Sequence, residues 1–235
     1  EGGRADPMSP VEKFGALGDL PRLGDDASRT YRLGIMGGTF DPIHNGHLVA
    51  AQQALGDLGL DTVVFMPAGS PAFKQDRRVS SAEERYAMTL LATADNPSFA
   101  VSRYEIDREG ITYTADTLAG LRELYPENVE LYFITGADAI LDILKWRDAR
   151  RIARLARLVA ATRPGYDLDA VTDVIFESGI DFDVTYLEVP ALAISSSHLR
   201  ERCAAGQSLS YLTPNTVVGY IAKRGLYVRD GGDDE

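Results

Sequence analysis

Short apolar runs alternate with stretches of helical spacing along most of this chain. Leu33–Met36 is a run closing on Gly37-Gly38, and a helix-compatible stretch follows from about His44 to Leu58. Thr62–Met66 is again strand-like, closed by Pro67 and Gly69. Ser80 and Glu83 have the spacing of a capping box, after which Ala87, Leu90, Leu91 and Ala94 fall at i, i+3, i+4 and i+7. Phe99–Ile106 reads as a strand, with Leu118, Leu121 and Tyr125 forming one face of the next helix. Val129–Ile134 is a strand ending at Gly136 and leading into helical Ala137–Lys145. Leu155–Ala161 and Val184–Val189 continue the alternation, and the last helix runs from about Pro214 to Gly225, with Pro at its start and Gly at its stop.

Strand and helix alternating in this way predict a single α/β domain, a doubly wound parallel sheet covered on both faces. No fixed-period repeat and no Ser- or Pro-rich linker divides it. Ligands of such sheets bind beyond the carboxyl ends of the strands, so residues at strand ends are the ones that can carry chemistry. The Gly-, Asp- and Pro-rich residues 1–30 show no sustained period and are expected to be a poorly ordered extension. The domain is expected to span 31–228, with an acidic tail at 229–235.

Composition narrows the function classes. Among 235 residues, 24 are Lys or Arg and 35 are Asp or Glu, a net charge of −11. Setting the two ends aside leaves 19 basic and 25 acidic side chains in the body. Such a body repels long polyanions, which disfavours nucleic acid as a partner and points to a few local phosphate-binding groups. No apolar stretch approaches the ~20 residues of a membrane helix. The single cysteine, Cys203, excludes an intrachain disulfide framework. A reduced, cytoplasmic protein without a membrane partner is the expectation.

The densest chemical signal is Gly37-Gly38-Thr39-Phe40-Asp41-Pro42-Ile43-His44-Asn45-Gly46-His47, at the end of the first strand and the opening of the first helix. Paired glycines let a ligand approach the main chain, and amides at a helix start attract phosphate. His44 and His47, three apart, share a helix face, with Gly46 leaving room between them. HxxH lacks the Glu and the wider spacing of a metalloprotease helix, and no Gly-Lys-Ser/Thr makes a Walker loop. The second signal is Ile194-Ser195-Ser196-Ser197-His198-Leu199-Arg200 at a later helix start. One serine suffices as the cap; the others and Arg200 can surround a phosphate.

These two motifs, in this order, resemble the HxGH nucleotidyltransferases, whose second signature is a Ser-rich ISSSxxR. The HxGH motif alone is shared with cytidylyltransferases, pantetheine-phosphate adenylyltransferases and class I aminoacyl-tRNA synthetases. Thr112–Leu118, Gly136-Ala137-Asp138 with Trp146, and Arg163-Pro164-Gly165-Tyr166 narrow the resemblance to the bacterial nicotinate-mononucleotide adenylyltransferases. It covers nearly all of residues 31–228.

The resemblance implies a Rossmann-like nucleotidyltransferase fold and adenylyl transfer from ATP to nicotinate mononucleotide, with Mg²⁺ accompanying the ATP. His44 and His47 would be catalytic, contacting the phosphates where the new bond forms. Gly37, Gly38, Thr39, Phe40, Gly46, Ser195, Ser196 and Arg200 would bind ATP. Tyr113, Thr114, Asp138 and Trp146 would bind the mononucleotide, Trp146 by stacking on the pyridine ring. Taken alone, Trp146 equally suits a core, Asp138 a helix cap, and Tyr113-Thr114 a turn. Lys74 and Arg163 complete the acceptor set with open roles: Phe73 stands where many members have His, and Arg163 can face either substrate. The rival readings are transfer to another phosphate acceptor and a non-catalytic nucleotide sensor.

Overall fold

The computed structural model describes residues 17–71, 79–142, 145–165, 167–190 and 193–228. The strands are β1 (Tyr31–Gly38), β2 (Thr62–Pro67), β3 (Ser70–Pro71), β4 (Phe99–Val101), β5 (Ile111–Thr112), β6 (Val129–Gly136), β7 (Arg157–Thr162) and β8 (Val184–Glu188). Between them run α1 (Asn45–Asp57), α2 (Ala82–Thr93), α3 (Thr114–Leu124), α4 (Ala137–Leu141), α5 (Ala149–Leu155) and α6 (Leu168–Glu177). Two helices, α7 (Ser196–Ala204) and α8 (Asn215–Arg224), close the fold.

Among the described residues, six strands form one sheet in the order β4-β2-β1-β6-β7-β8, every pair parallel. The chain leaves β1 toward β2 and β4, then returns to the other side of β1 for β6, β7 and β8. That reversal opens a crevice between the ends of β1 and β6, the expected position for a ligand in an open α/β sheet.

Period-two alternation in the strands builds a core on each face. Leu33 and Ile35 of β1 point to the side covered by α3, α4, α5 and α6, where they join Leu118, Leu121, Ile140, Ile152 and Val171. Met36 points to the other side, with Ala50 and Ala54 of α1, Met88 of α2, Leu199 of α7 and Val217 of α8. Gly34 has no side chain because a Cβ there would come within 2.8 Å of Leu60. The final helix starts after Pro214 and stops at Gly225, whose φ of +62° is the left-handed stop that glycine makes cheaply.

Several expectations need correction. Residues 17–30 are not a loose extension: Leu17 and Leu20 are buried in the first core, and the Tyr125 hydroxyl donates to the Pro21 carbonyl at 2.7 Å. Asn128 Nδ2 holds the carbonyls of Asp26 and Arg29, each at 2.9 Å. Two leucines and a few carbonyl contacts dock this segment with no periodicity to announce it, so the expected boundary at 31 lies too late.

The cap of α2 is Ser81, accepting from the Glu84 amide at 3.2 Å, one position after the predicted pair; Ser-Ser-Ala-Glu-Glu offers both registers. The buried face of α2 is also rotated from the predicted stripe. Arg85, Met88, Thr89, Ala92 and Thr93 point inward, whereas Leu90 and Leu91 are exposed. Thr89 and Thr93 remain satisfied inside by donating to the carbonyls of Arg85 and Thr89, at 2.8 and 2.9 Å.

β4 stops at Val101 rather than Ile106, because Asp19 captures the Ser102 hydroxyl and the Arg103 amide, each at 2.7 Å, and turns the chain off the sheet edge. The helix predicted over 137–145 ends at Leu141. Among the described residues no helix is long and apolar enough to cross a membrane.

Candidate active site

The loop between β1 and α1 is shaped by one aromatic ring. Phe40 has a φ of +52°, a left-handed conformation that costs a non-glycine residue roughly 1–3 kcal/mol, and its side chain is 2% exposed. The ring packs against Phe65 at 5.9 Å and stands edge-on to His47 at 5.1 Å. It also covers Gly38, where a Cβ would meet it at 2.9 Å. Of the residues predicted to line phosphate, Phe40 therefore offers only its backbone, while its side chain shapes the loop.

His44 and His47 come together as the spacing predicts. Their rings stack at 3.7 Å with 23° between planes. His44 is the residue before the first turn of α1, in extended conformation, and its backbone N–H donates to His47 Nδ1 at 3.2 Å. An Nδ1 that accepts leaves the proton of a neutral imidazole on Nε2, so His47 carries a donor on its far nitrogen. His44 is 5% exposed, and burial lowers its pKa to about 4, so it is uncharged at neutral pH. The start of α1 is less bare than its sequence suggests. The Asn45 amide donates to the Leu212 carbonyl and the His47 amide to the His44 carbonyl, each at 2.9 Å.

The serine-rich segment is joined to this loop. Ser195 caps α7, accepting from the His198 amide at 3.2 Å. Ser196 donates to the Pro42 carbonyl at 2.9 Å. Arg200 bonds the Ser197 hydroxyl at 2.9 Å and the Asp41 carbonyl. The three serines thus divide the work of capping, bridging and orienting, and they bring the Arg200 guanidinium to the loop that carries both histidines.

Two residues outside the motifs, Arg85 and Tyr227, hold the loop from behind together with Asp41 of the loop itself. Arg85 is 1% exposed, yet its guanidinium is fully used. It donates to the carbonyls of Thr39 at 2.8 Å, Ala68 at 2.6 Å, Gly69 at 3.1 Å and Ser80 at 3.0 Å. Burial lowers its pKa, and the charge of Asp41 opposes that shift. Asp41, also 1% exposed, accepts from the Tyr227 hydroxyl at 2.7 Å. Burial, reinforced by the Asp41 charge, raises the Tyr227 pKa. Nothing in the sequence marks Arg85, since the apolar stripe of Ala87, Leu90, Leu91 and Ala94 points to another face of α2.

The residues expected to bind the mononucleotide, those that are described, lie toward the carboxyl edge of the sheet. Tyr113 precedes the first turn of α3 and Thr114 opens it. Trp146 is half-buried, packed against the first core and edge-on to Phe133 at 6.0 Å. A Cβ on Gly37 would in turn come within 3.3 Å of the Phe133 ring. A line of contacts therefore runs from the end of β1 to Trp146, which has a packing role whatever else it does. Asp138 is exposed in the first turn of α4, at the end of β6, and Arg163 is exposed past the end of β7. Lys74 lies outside the described residues. Nearby, burial raises the pKa of Glu105 despite bonds from Thr117, at 2.7 Å, and Thr112.

The geometry joins the two motifs at the switch point of a doubly wound sheet. The model of the cytidylyltransferase-like family matches residues 35–202. A probable nicotinate-nucleotide adenylyltransferase of Saccharopolyspora erythraea is 54% identical over 207 residues, covering 88% of this chain and 93% of that one. Its counterpart in Frankia casuarinae is 57% identical over 192 residues, covering 82% and 98%. The chain belongs to the cytidylyltransferase-like family and, within it, to the nicotinate-nucleotide adenylyltransferases. In fold it is similar to a Plasmodium falciparum nicotinic acid mononucleotide adenylyltransferase complexed with NaAD. The TM-score is 0.69 at 20% identity, over 84% of this chain and 97% of that one.

Proposed function

We propose that this protein transfers the adenylyl group of ATP to the 5′-phosphate of nicotinate mononucleotide, giving nicotinate adenine dinucleotide and pyrophosphate. Family membership at more than 50% identity supports the reaction. The observation that carries the mechanism is the stacked His44–His47 pair on a loop to which Arg200 is bonded.

An oxygen of the mononucleotide phosphate attacks the α-phosphorus, and the bond from that phosphorus to the β-phosphate oxygen breaks. The attacking monoester has a second pKa near ~6, so it arrives largely as a dianion and needs no base. The protein's work is to align two anions and to stabilise charge that builds on the α-phosphoryl oxygens. His47 Nε2–H supplies a directed donor at the head of α1, and Arg200 supplies full positive charge. His44, uncharged, fixes the position of His47 through its backbone and ring.

Gly37, Gly38, Thr39, the Phe40 backbone and Gly46 form the ATP side, together with Ser195 and Ser196, whose hydroxyls also brace α7. Tyr113, Thr114, Asp138 and Trp146 form the mononucleotide side, with Arg163 beyond the end of β7; the role of Lys74 stays open. Mg²⁺ would accompany ATP, screening the charge of its phosphates, with no dedicated set of protein ligands required of this site. Among the described residues no group of three or more His, Cys, Asp or Glu is gathered around a common point.

The test is product identification: purified protein with Mg²⁺, ATP and a panel of phosphate acceptors. Dinucleotide and pyrophosphate should appear in equal amounts with nicotinate mononucleotide. Turnover only with pantetheine phosphate or another acceptor, or none at all, overturns the proposal.

A further inference from the structure

The residues that precede β1 reach the site through one carboxylate. Leu17 and Leu20 are buried in the first core, and the Leu20 amide donates to the Leu17 carbonyl at 2.9 Å, a turn that presents Asp19 between them. Asp19 Oδ1 accepts from the Ser102 hydroxyl and Oδ2 from the Arg103 amide, each at 2.7 Å. Ser102 is fully buried, and its hydroxyl also accepts from the Tyr104 amide at 3.1 Å. Three consecutive residues after β4 therefore take their course from Asp19. Asp19 itself is exposed, so truncating it opens no cavity and acts through the turn it holds.

That turn is wedged between α3 and the end of β2. The Tyr104 hydroxyl lies so close to α3 that a Cβ on Gly120 would come within 1.8 Å of it. The Glu105 carboxylate accepts from the Thr117 hydroxyl at 2.7 Å and from Thr112. Thr117 is on the first turn of α3, and Thr112 closes β5 directly before Tyr113, so one carboxylate brackets the opening of the helix. On its other side the Glu105 carbonyl crowds Gly69, where a Cβ would lie 2.3 Å away. Gly69 in turn gives its carbonyl to Arg85, which also holds the carbonyl of Thr39. A turn packed this tightly transmits a shift to its neighbours instead of absorbing it.

We infer that Asp19 is a positioning residue for adenylyl transfer: it fixes the 102–105 turn, and through Glu105 it holds the opening of α3 that carries Tyr113 and Thr114. This rests on the proposed function, which puts the mononucleotide against those two residues. The segment before β1 is thus a working part of the catalytic domain. Its carboxylate makes charge-assisted bonds to a hydroxyl and an amide, which are shorter and stronger than neutral ones. Without them the turn relaxes, Glu105 moves, and the two acceptor-side residues lose the alignment that transfer requires.

The test measures kcat and the KM for each substrate by pyrophosphate release, at a temperature where melts show every variant folded. Asp19→Ala should raise the KM for nicotinate mononucleotide about tenfold and that for ATP less than about twofold. Asp19→Asn should recover most of the loss, since its Oδ1 can accept from the Arg103 amide while Nδ2 donates to the Ser102 hydroxyl. Ser102→Ala should shift the same constant in the same direction by a smaller factor. Glu105→Gln should do likewise, and combining it with Asp19→Ala should add little, because both act through one turn. Tyr125→Phe removes the bond to the Pro21 carbonyl in the same segment; it should lower the melting temperature and leave both KM values unchanged. An unchanged acceptor KM in Asp19→Ala, equal rises in both KM values, independent effects in the double variant, or the same shift in Tyr125→Phe overturns the assignment. Should Asp19→Ala fail to fold, an unchanged acceptor KM in Ser102→Ala overturns it. Absence of turnover by the unchanged protein with nicotinate mononucleotide overturns the proposed function itself.

Discussion

The hydroxyl of Tyr227 donates to the carboxylate of Asp41 at 2.7 Å, across 186 residues of sequence. This contact fastens the end of the described chain beneath the loop that carries both histidines. Tyr227 adopts a φ of +63° to make it, a conformation that tyrosine rarely takes. Tyr227→Phe removes the donor and leaves a buried carboxylate one bond short. Chemical denaturation should show a loss of about 1–3 kcal/mol, with the fold retained at room temperature.

Arg85 is the more severe case, because four backbone carbonyls depend on it. Arg85→Met keeps the bulk but leaves those carbonyls unpaired and the Asp41 charge uncompensated. The expected loss is about 3–5 kcal/mol, read from urea melts. Arg85→Lys should recover only part of it, since one compact ammonium cannot span carbonyls on three separate segments.

The depressed pKa of His44 sets a pH dependence whose sign is fixed by burial. The folded value, about 4, lies below the unfolded value near 6.5, so the unfolded chain binds the proton more readily. Stability from this residue is complete above pH 6.5 and is lost as the pH falls toward 4. At pH 5 the loss is about 2 kcal/mol. Comparing urea melts at pH 7 and pH 5 for the unchanged protein and for His44→Asn isolates it: the variant should be the less sensitive to acid. A ¹H–¹³C titration of the ring should give a midpoint well below 6.

Much of this fold is written in the alternation of apolar runs and helical spacing, because the central strands β1, β2, β6 and β7 are mostly buried and helices cover both faces of the sheet. The face of α2 is not legible, because an arginine occupies its core-facing side and two leucines its outer one. The docking of 17–30 is hidden for a related reason: two leucines and scattered carbonyl contacts leave no period. Within the site, the nearness of the His44 and His47 rings follows from their spacing. The bonds of Ser196 to the Pro42 carbonyl and of Arg200 to the Asp41 carbonyl span 154 and 159 residues and come from the fold, as do those of Arg85 and Tyr227. The sequence also suggests a barer helix start than the fold provides, because nothing in it shows the Leu212 carbonyl arriving at the Asn45 amide.

Trp146 sits between two roles that kinetics can separate. Its contact with Phe133 predicts some loss of stability on truncation, and its place at the sheet edge predicts a loss of acceptor binding. Trp146→Ala should raise the KM for the mononucleotide at least tenfold while changing the KM for ATP far less. Equal changes in both would assign the ring to packing.

In the proposed mechanism His47 bears the greatest weight, since its Nε2–H would be the directed donor offered to the reacting phosphate. The decisive measurement is the rate of pyrophosphate release by His47→Ala at saturating ATP and nicotinate mononucleotide, alongside its thermal melt. Loss of this donor should reduce kcat by at least about 10²–10³-fold while the melt stays close to that of the unchanged protein. A well-folded His47→Ala with near-normal kcat would contradict a catalytic role for the imidazole pair.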